Sequence, residues 1–129
     1  MKYEEAPEIQ VLAEEISKLL FPHVKLERVK CFRSFGSSSR GTIARCHTIG
    51  KLMQKAMEVK AFYALEFISE RFERLNNEDK IKVIIHELMH IPVTFGGGFR
   101  HHDHVCERNI EKNYRAYTET KKRNERNFY

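Results

Sequence analysis

Asn77-Glu78-Asp79-Lys80-Ile81-Lys82-Val83-Ile84-Ile85-His86-Glu87-Leu88-Met89-His90-Ile91-Pro92 is the stretch on which the reading of this 129-residue chain turns. Asn77 offers a side-chain cap, Glu78 and Asp79 bring negative charge to a first turn where the helix dipole favours it, and Ile81, Ile84, Ile85 and Leu88 recur at i, i+3, i+4 and i+7. The spacing predicts a helix from about Glu78 to Ile91. Pro92 stops it, because the proline ring disfavours helical geometry at the preceding residue. Inside this helix lies His86-Glu87-Leu88-Met89-His90, an H-E-x-x-H pattern. Residues four apart project from the same face, so both imidazoles can reach one ion. At about 100° per residue the two histidines fall nearly opposite the isoleucine and leucine stripe, so one face packs into a core while the other opens into a cleft. Glu87, one position on, is expected to act on a water at that ion as the catalytic carboxylate, without being a ligand itself.

A zinc site that keeps a position for water needs a third protein ligand. The triple glycine Gly96-Gly97-Gly98 lets the chain turn back after the helix, and Arg100-His101-His102-Asp103-His104 follows it. By spacing, His101, His102 and His104 are all plausible ligands. Asp103 is a further candidate, either as a ligand or by orienting a ligand histidine through its second nitrogen, and Glu107 or Glu111 would serve if the third ligand came from a following helix. A histidine run is also the composition of a surface metal trap without catalysis. Arg100 and Tyr114 are candidates for stabilising a developing oxyanion or contacting substrate.

Working outward, Pro7 opens a segment in which Ile9, Leu12, Ile16 and Leu19 recur at helical spacing until Pro22, predicting a packing helix. Two short strands are expected around the turn-rich Gly36-Ser37-Ser38-Ser39-Arg40-Gly41, one ending near Phe35 and one over Thr42 to Ile49. The second is a candidate for pairing with an extended peptide. Val59 to Ile68 reads as a buried strand, with the alternative that a preceding helix around Met53 and Met57 extends into it, and Ile110, Tyr114 and Tyr117 share one face of a last helix. Cys46 and His47 are neighbours in a strand and therefore face opposite sides, which argues against a thiol–imidazole dyad. Cys106 reads as a small buried residue.

Composition narrows the classes. No run approaches the roughly 20 apolar residues of a membrane span, and Met1-Lys2-Tyr3-Glu4-Glu5 lacks the apolar segment of a secretory signal, so a cytoplasmic protein with no membrane contact is expected. Three cysteines without a C-x-x-C pair argue against a disulfide framework and a cysteine-rich zinc ribbon. The net charge is +5. More than half of it falls in Glu107 to Tyr129, where seven basic residues face four acidic ones, so weak nucleic-acid contact through a basic C-terminal end, about 118–129 and prone to fray, is an expectation. No repeat or linker divides the chain, and 1–129 reads as one domain.

Val83 to Pro92 together with Gly97-Gly98-Phe99-Arg100-x-His102 resembles the small zinc metallopeptidases of archaea and phages, which are minimal zincins, and is more distantly similar to SprT-like proteases. The resemblance extends through Ser39-Arg40-Gly41-Thr42-Ile43-Ala44-Arg45 and Tyr63-Ala64-Leu65-Glu66-Phe67-Ile68-Ser69, about two thirds of the chain. It implies an α+β fold in which a small twisted sheet packs against an N-terminal helix and the H-E-x-x-H helix, with a C-terminal helix. It also implies one zinc ion per chain held by His86, His90 and His102, and Glu87 as general base of a zinc metalloendopeptidase acting on a peptide or protein. His101 departs from the family pattern, which has proline there. The competing readings are a zinc-binding module associated with nucleic acid and a zincin scaffold without useful proteolysis.

Overall fold

A computed structural model describes residues 1–101 and 103–128. The elements in chain order are β1 (Lys2–Glu5), α1 (Pro7–Leu20), a 3-10 turn (Leu26–Arg28), β2 (Val29–Phe35), β3 (Ala44–Thr48), α2 (Lys51–Met57), β4 (Tyr63–Ile68), α3 (Ser69–Phe72), α4 (Asn77–Met89) and α5 (Glu107–Phe128). The four strands form one mixed sheet in the order β1-β2-β4-β3, with β2 and β4 parallel and the outer pairs antiparallel. This is the expected α+β class.

The period of two along β4 decides which face is buried. Tyr63, Leu65 and Phe67 point to the same side and are buried with Ile9 and Ile16 of α1 and with Ile84, Ile85 and Leu88 of α4. Register sets Cys46 of β3 opposite Leu65, and so on that same side. Beyond β3 the sheet ends, leaving a free edge beside α4. Tyr117 from α5 closes the core, and α5 packs on both α1 and α4. The helix continues to Phe128, through the basic stretch where fraying was expected. Among the described residues no helix is long and apolar enough to cross a membrane.

Several boundaries differ from expectation for local reasons. Asn76, not Asn77, caps α4, its Oδ1 accepting the Asp79 N–H at 2.8 Å, and the helix ends at Met89 with His90 as its C-cap. Glu58 adopts a left-handed conformation (φ 56°) that ends α2, so β4 starts only at Tyr63, and the expected strand over Val59 to Ile68 is shortened from its front. The strand expected over Thr42 to Ile49 is trimmed at both ends to β3.

Candidate metal centre

The buried apolar stripe of α4 fixes where the opposite side of the helix points. Ile84, Ile85 and Leu88 are inaccessible to solvent, while His86 and His90, one turn apart, are half-buried, with ring centroids 5.2 Å apart and planes tilted by 48°. They face a cleft of about 330 Å³ whose walls include Ala44 and Cys46 of β3, Glu87, Phe99, Arg100 and His101.

His90 is oriented from outside the helix. Its Nδ1 lies 2.7 Å from the Arg100 carbonyl oxygen, and the Arg100 N–H donates to the His90 carbonyl at 2.7 Å. A carbonyl can only accept, so Nδ1 carries the proton and, in the neutral ring, Nε2 is the unprotonated nitrogen. The same two bonds tie the chain beyond the glycine turn to the end of α4.

Glu87 is 5% exposed, and burial pushes its carboxyl up to about 7. Its Oε2 lies 4.0 Å from His86 Nε2. A carboxyl raised this far exchanges protons near neutrality, as a general base must.

The glycine turn is clamped by two side chains that the sequence reading did not single out. The Tyr63 hydroxyl accepts the Gly97 N–H at 3.0 Å and donates to the Gly98 carbonyl at 2.8 Å, using its acceptor and its donor on one turn. Gln54 Nε2 donates to the Gly96 carbonyl at 2.9 Å and to the Ile49 carbonyl at 2.7 Å. Gly97 has φ +101°, and a Cβ there would lie 2.5 Å from the Ile49 carbonyl oxygen and against the Gln54 amide, so only glycine fits. Tyr63 read as one of several core aromatics, and its polar role depends on a contact 34 residues away in sequence.

The other candidates divide. His101 lines the cleft with His86, Glu87 and His90, and so does Arg100. Asp103 is exposed, its Oδ1 capping the His104 N–H at 2.9 Å. His104 is half-buried, and burial together with the Arg100 charge lowers its pKa, favouring neutral imidazole. His102 lies outside the described residues. Among the described residues no group of three or more His, Cys, Asp or Glu side chains is arranged to hold a metal ion. Glu111 is drawn to Lys82 at 2.6 Å and Tyr114 lies under the same ammonium, 5.0 Å from ring centre to nitrogen, so neither lines the cleft. Cys46 lies beside the cleft, but burial and then the Glu87 charge push its thiol far up. His47 turns to the other face of the sheet, its Nε2 2.8 Å from Glu66. The two therefore form no dyad.

The donors that are described are of a kind that metal ions use, though two imidazoles alone do not complete a site: His86 and His90 lie on one helical turn, one of them with its Nδ1 committed to a carbonyl, beside a carboxyl with raised pKa. Among curated proteins and solved structures, none matches this chain. A family model described as "Putative phage metallopeptidase" matches residues 1–125. That match takes in every strand, the cleft and all but the tip of α5, and the chain belongs to this phage metallopeptidase family.

Proposed function

We propose that the chain is a zinc-dependent peptidase in which His86, His90 and His102 hold one zinc ion and Glu87 is the general base. Membership of a metallopeptidase family supports peptide-bond hydrolysis and a metal. The observation that carries the finer reading is the bridge between His90 and Arg100. With Nδ1 as the donor, Nε2 is the unprotonated nitrogen that a metal ligand requires, and the bridge anchors the segment that leads into His102 to the end of α4.

When bound, zinc would supply Lewis-acid polarisation of the substrate carbonyl and lower the pKa of its water to about 7. Glu87 takes the proton from the attacking water and returns it to the leaving amine nitrogen, a role suited to a buried carboxyl with a pKa of about 7. Two arginines line the cleft, and of these Arg45 is paired with Glu66, so Arg100 is the cation assigned to the negative charge developing on the carbonyl oxygen. The free edge of β3 offers backbone groups to an extended peptide, which would read main chain and tolerate varied side chains. Hydrolysis of an unstructured protein by the zinc-loaded chain, lost by at least about 100-fold in Glu87→Gln with about one zinc per chain retained, is the expected result. Undiminished hydrolysis by that variant would refute the assignment of the base.

A weaker second role has one observation behind it. Lys122, Arg123 and Arg126 share a shallow hollow on α5 with Glu119, which supports salt-sensitive contact with nucleic acid.

A further inference from the structure

We propose that the outward face of α2 is an exosite that grips an acidic, apolar segment of a protein substrate at a distance from the cleaved bond. The proposal rests on the peptidase reading and gives it a substrate class. The helix runs from Lys51 to Met57 and buries none of its residues. Leu52 is 82% exposed, Met57 54% and Met53 52%, and Val59 just beyond the helix is exposed as well. Large apolar side chains clustered in water on an ordered element mark a surface that another molecule covers.

Helical phase groups these side chains. At about 100° per residue Leu52, Met53, Ala56 and Met57 fall within an arc of about 140°, and Lys51 and Lys55 border it on one side. Gln54 lies outside the arc, and its amide bonds to the Gly96 carbonyl at 2.9 Å and the Ile49 carbonyl at 2.7 Å turn that side of the helix toward the protein. Methionine adapts its unbranched side chain to varied partners, which suits a surface that holds many sequences. Charge narrows the occupant. From Lys51 to Lys60 three lysines stand against Glu58 alone, and among the described residues none of the three is in an ion pair. A second copy would set this patch against itself, lysines included, in a chain of net charge +5. A segment carrying Glu or Asp among apolar residues matches both the arc and its border.

Position ties the patch to the cleft. Ala44 to Cys46 of β3 form part of the cleft wall, and after Thr48 only Ile49 and Gly50 separate the strand from α2. Cys46 to Thr48 is about 7 Å of strand, and the whole path from Cys46 to Lys51 is at most about 17 Å. A substrate lying along the free β3 edge and continuing past its end therefore reaches α2, whereas a peptide with about two residues on each side of the cut ends short of it. Gln54 adds a mechanical link. The carbonyl it holds belongs to Gly96, at the start of the turn that leads to Phe99, whose ring stands edge-on to His90 at 6.5 Å on the cleft wall. Binding made equally in the ground and transition states lowers KM and leaves kcat unchanged, which is the kinetic signature of an exosite.

The test compares a short peptide that the zinc-loaded wild-type protein cleaves, found in a library, with the same peptide carrying an extension of mixed Glu and Leu on either side. The extended form should be hydrolysed with KM lower by at least about 10-fold and the same kcat. Replacing Leu52, Met53 and Met57 together by serine, all at exposed positions, should remove that gain and leave hydrolysis of the short peptide unchanged. Lys51→Glu with Lys55→Glu should move the preference from Glu/Leu to Lys/Leu extensions. In fluorescence anisotropy the wild-type protein with a chelator present should bind the labelled Glu/Leu extension alone, and the triple serine variant should not. No gain in KM, equal gains from Glu/Leu, Lys/Leu and Glu/Ser extensions, or a gain that both variants keep overturns the exosite and leaves the peptidase reading standing. A wild-type dimer in sedimentation, or binding to phosphatidylglycerol vesicles, that the triple variant loses while the gain in KM persists gives the face to that occupant and overturns the exosite too. Failure to cleave any peptide overturns both readings.

Discussion

Glu87→Gln in zinc-free protein isolates the electrostatic cost of the proposed base. The folded-state carboxyl is raised by burial from the usual 4.5 to about 7, and at about 1.4 kcal/mol per unit this is a penalty of about 3 kcal/mol once the group must ionise. Below pH 4.5 the carboxyl is protonated in folded and unfolded chains alike, and the group contributes nothing. Between about 4.5 and 7 the unfolded chain has released the proton while the folded chain still holds it. The folded state then binds more protons, so stability falls as pH rises through this window and levels off above it. Glutamine does not ionise. Any fixed cost of burying its amide is the same at every pH, so the pH-dependent part of the difference reports the carboxylate alone. Urea unfolding followed by circular dichroism in the presence of a chelator, at pH 4, 6 and 8, should give a variant that gains on the wild type by up to about 3 kcal/mol from the lowest to the highest pH. With a slope of about 1.5 kcal/mol per molar urea, that is a midpoint shift of about 2 M. Parallel pH profiles for the two proteins would refute the argument that Glu87 is ionised at a cost in this environment.

The clamp on the glycine turn gives a second expectation. Tyr63→Phe removes an acceptor from a buried N–H, which should destabilise the fold by about 1–3 kcal/mol in thermal unfolding and weaken zinc affinity by about 10- to 100-fold in competition with a chelator. Gly97→Ala should be the harsher change, since it strains a positive φ and drives a methyl into Ile49 and Gln54. Separate alanine replacements at His101, His102 and His104 should reduce zinc content most at His102, by at least about 10-fold in affinity, and full loading of that variant would move the third ligand elsewhere. Deleting Lys121 to Tyr129 should abolish any nucleic-acid binding seen at low salt in a gel-shift titration, without sequence preference.

The centre of the fold was legible because α4 carries redundant signals. Its stripe, acidic first turn and following proline agree, with the asparagine cap one residue earlier than expected, and the stripe fixes the phase that aims His86 and His90 away from the core. Position within the sheet was not legible. Lys2 to Glu5 pairs antiparallel with β2 although none of its four residues is buried, so no apolar alternation announces it. The helix α2 exposes Leu52, Met53 and Met57 and buries no residue, and what holds it to the glycine turn is a single amide, Gln54. Tyr63 looked like core and is core, but its hydroxyl also holds the turn before the histidine run. Such contacts join residues 34 or more positions apart, and periodicity, which reads only neighbours along the chain, carries no trace of them. Spacing likewise left the third ligand open among His101, His102 and His104, because three consecutive glycines leave the direction of the following residues to tertiary contacts.

A crystal structure of the wild-type protein grown with zinc, with the ion located by anomalous scattering at the zinc edge, tests the central claim most directly. The account predicts one ion per chain, bound by Nε2 of His86, Nε2 of His90 and the imidazole of His102, each at about 2.1 Å, with the fourth position left to solvent within reach of Glu87. Four protein ligands around the ion, Glu87 itself coordinating, or an ion bound away from His86 and His90 would contradict it.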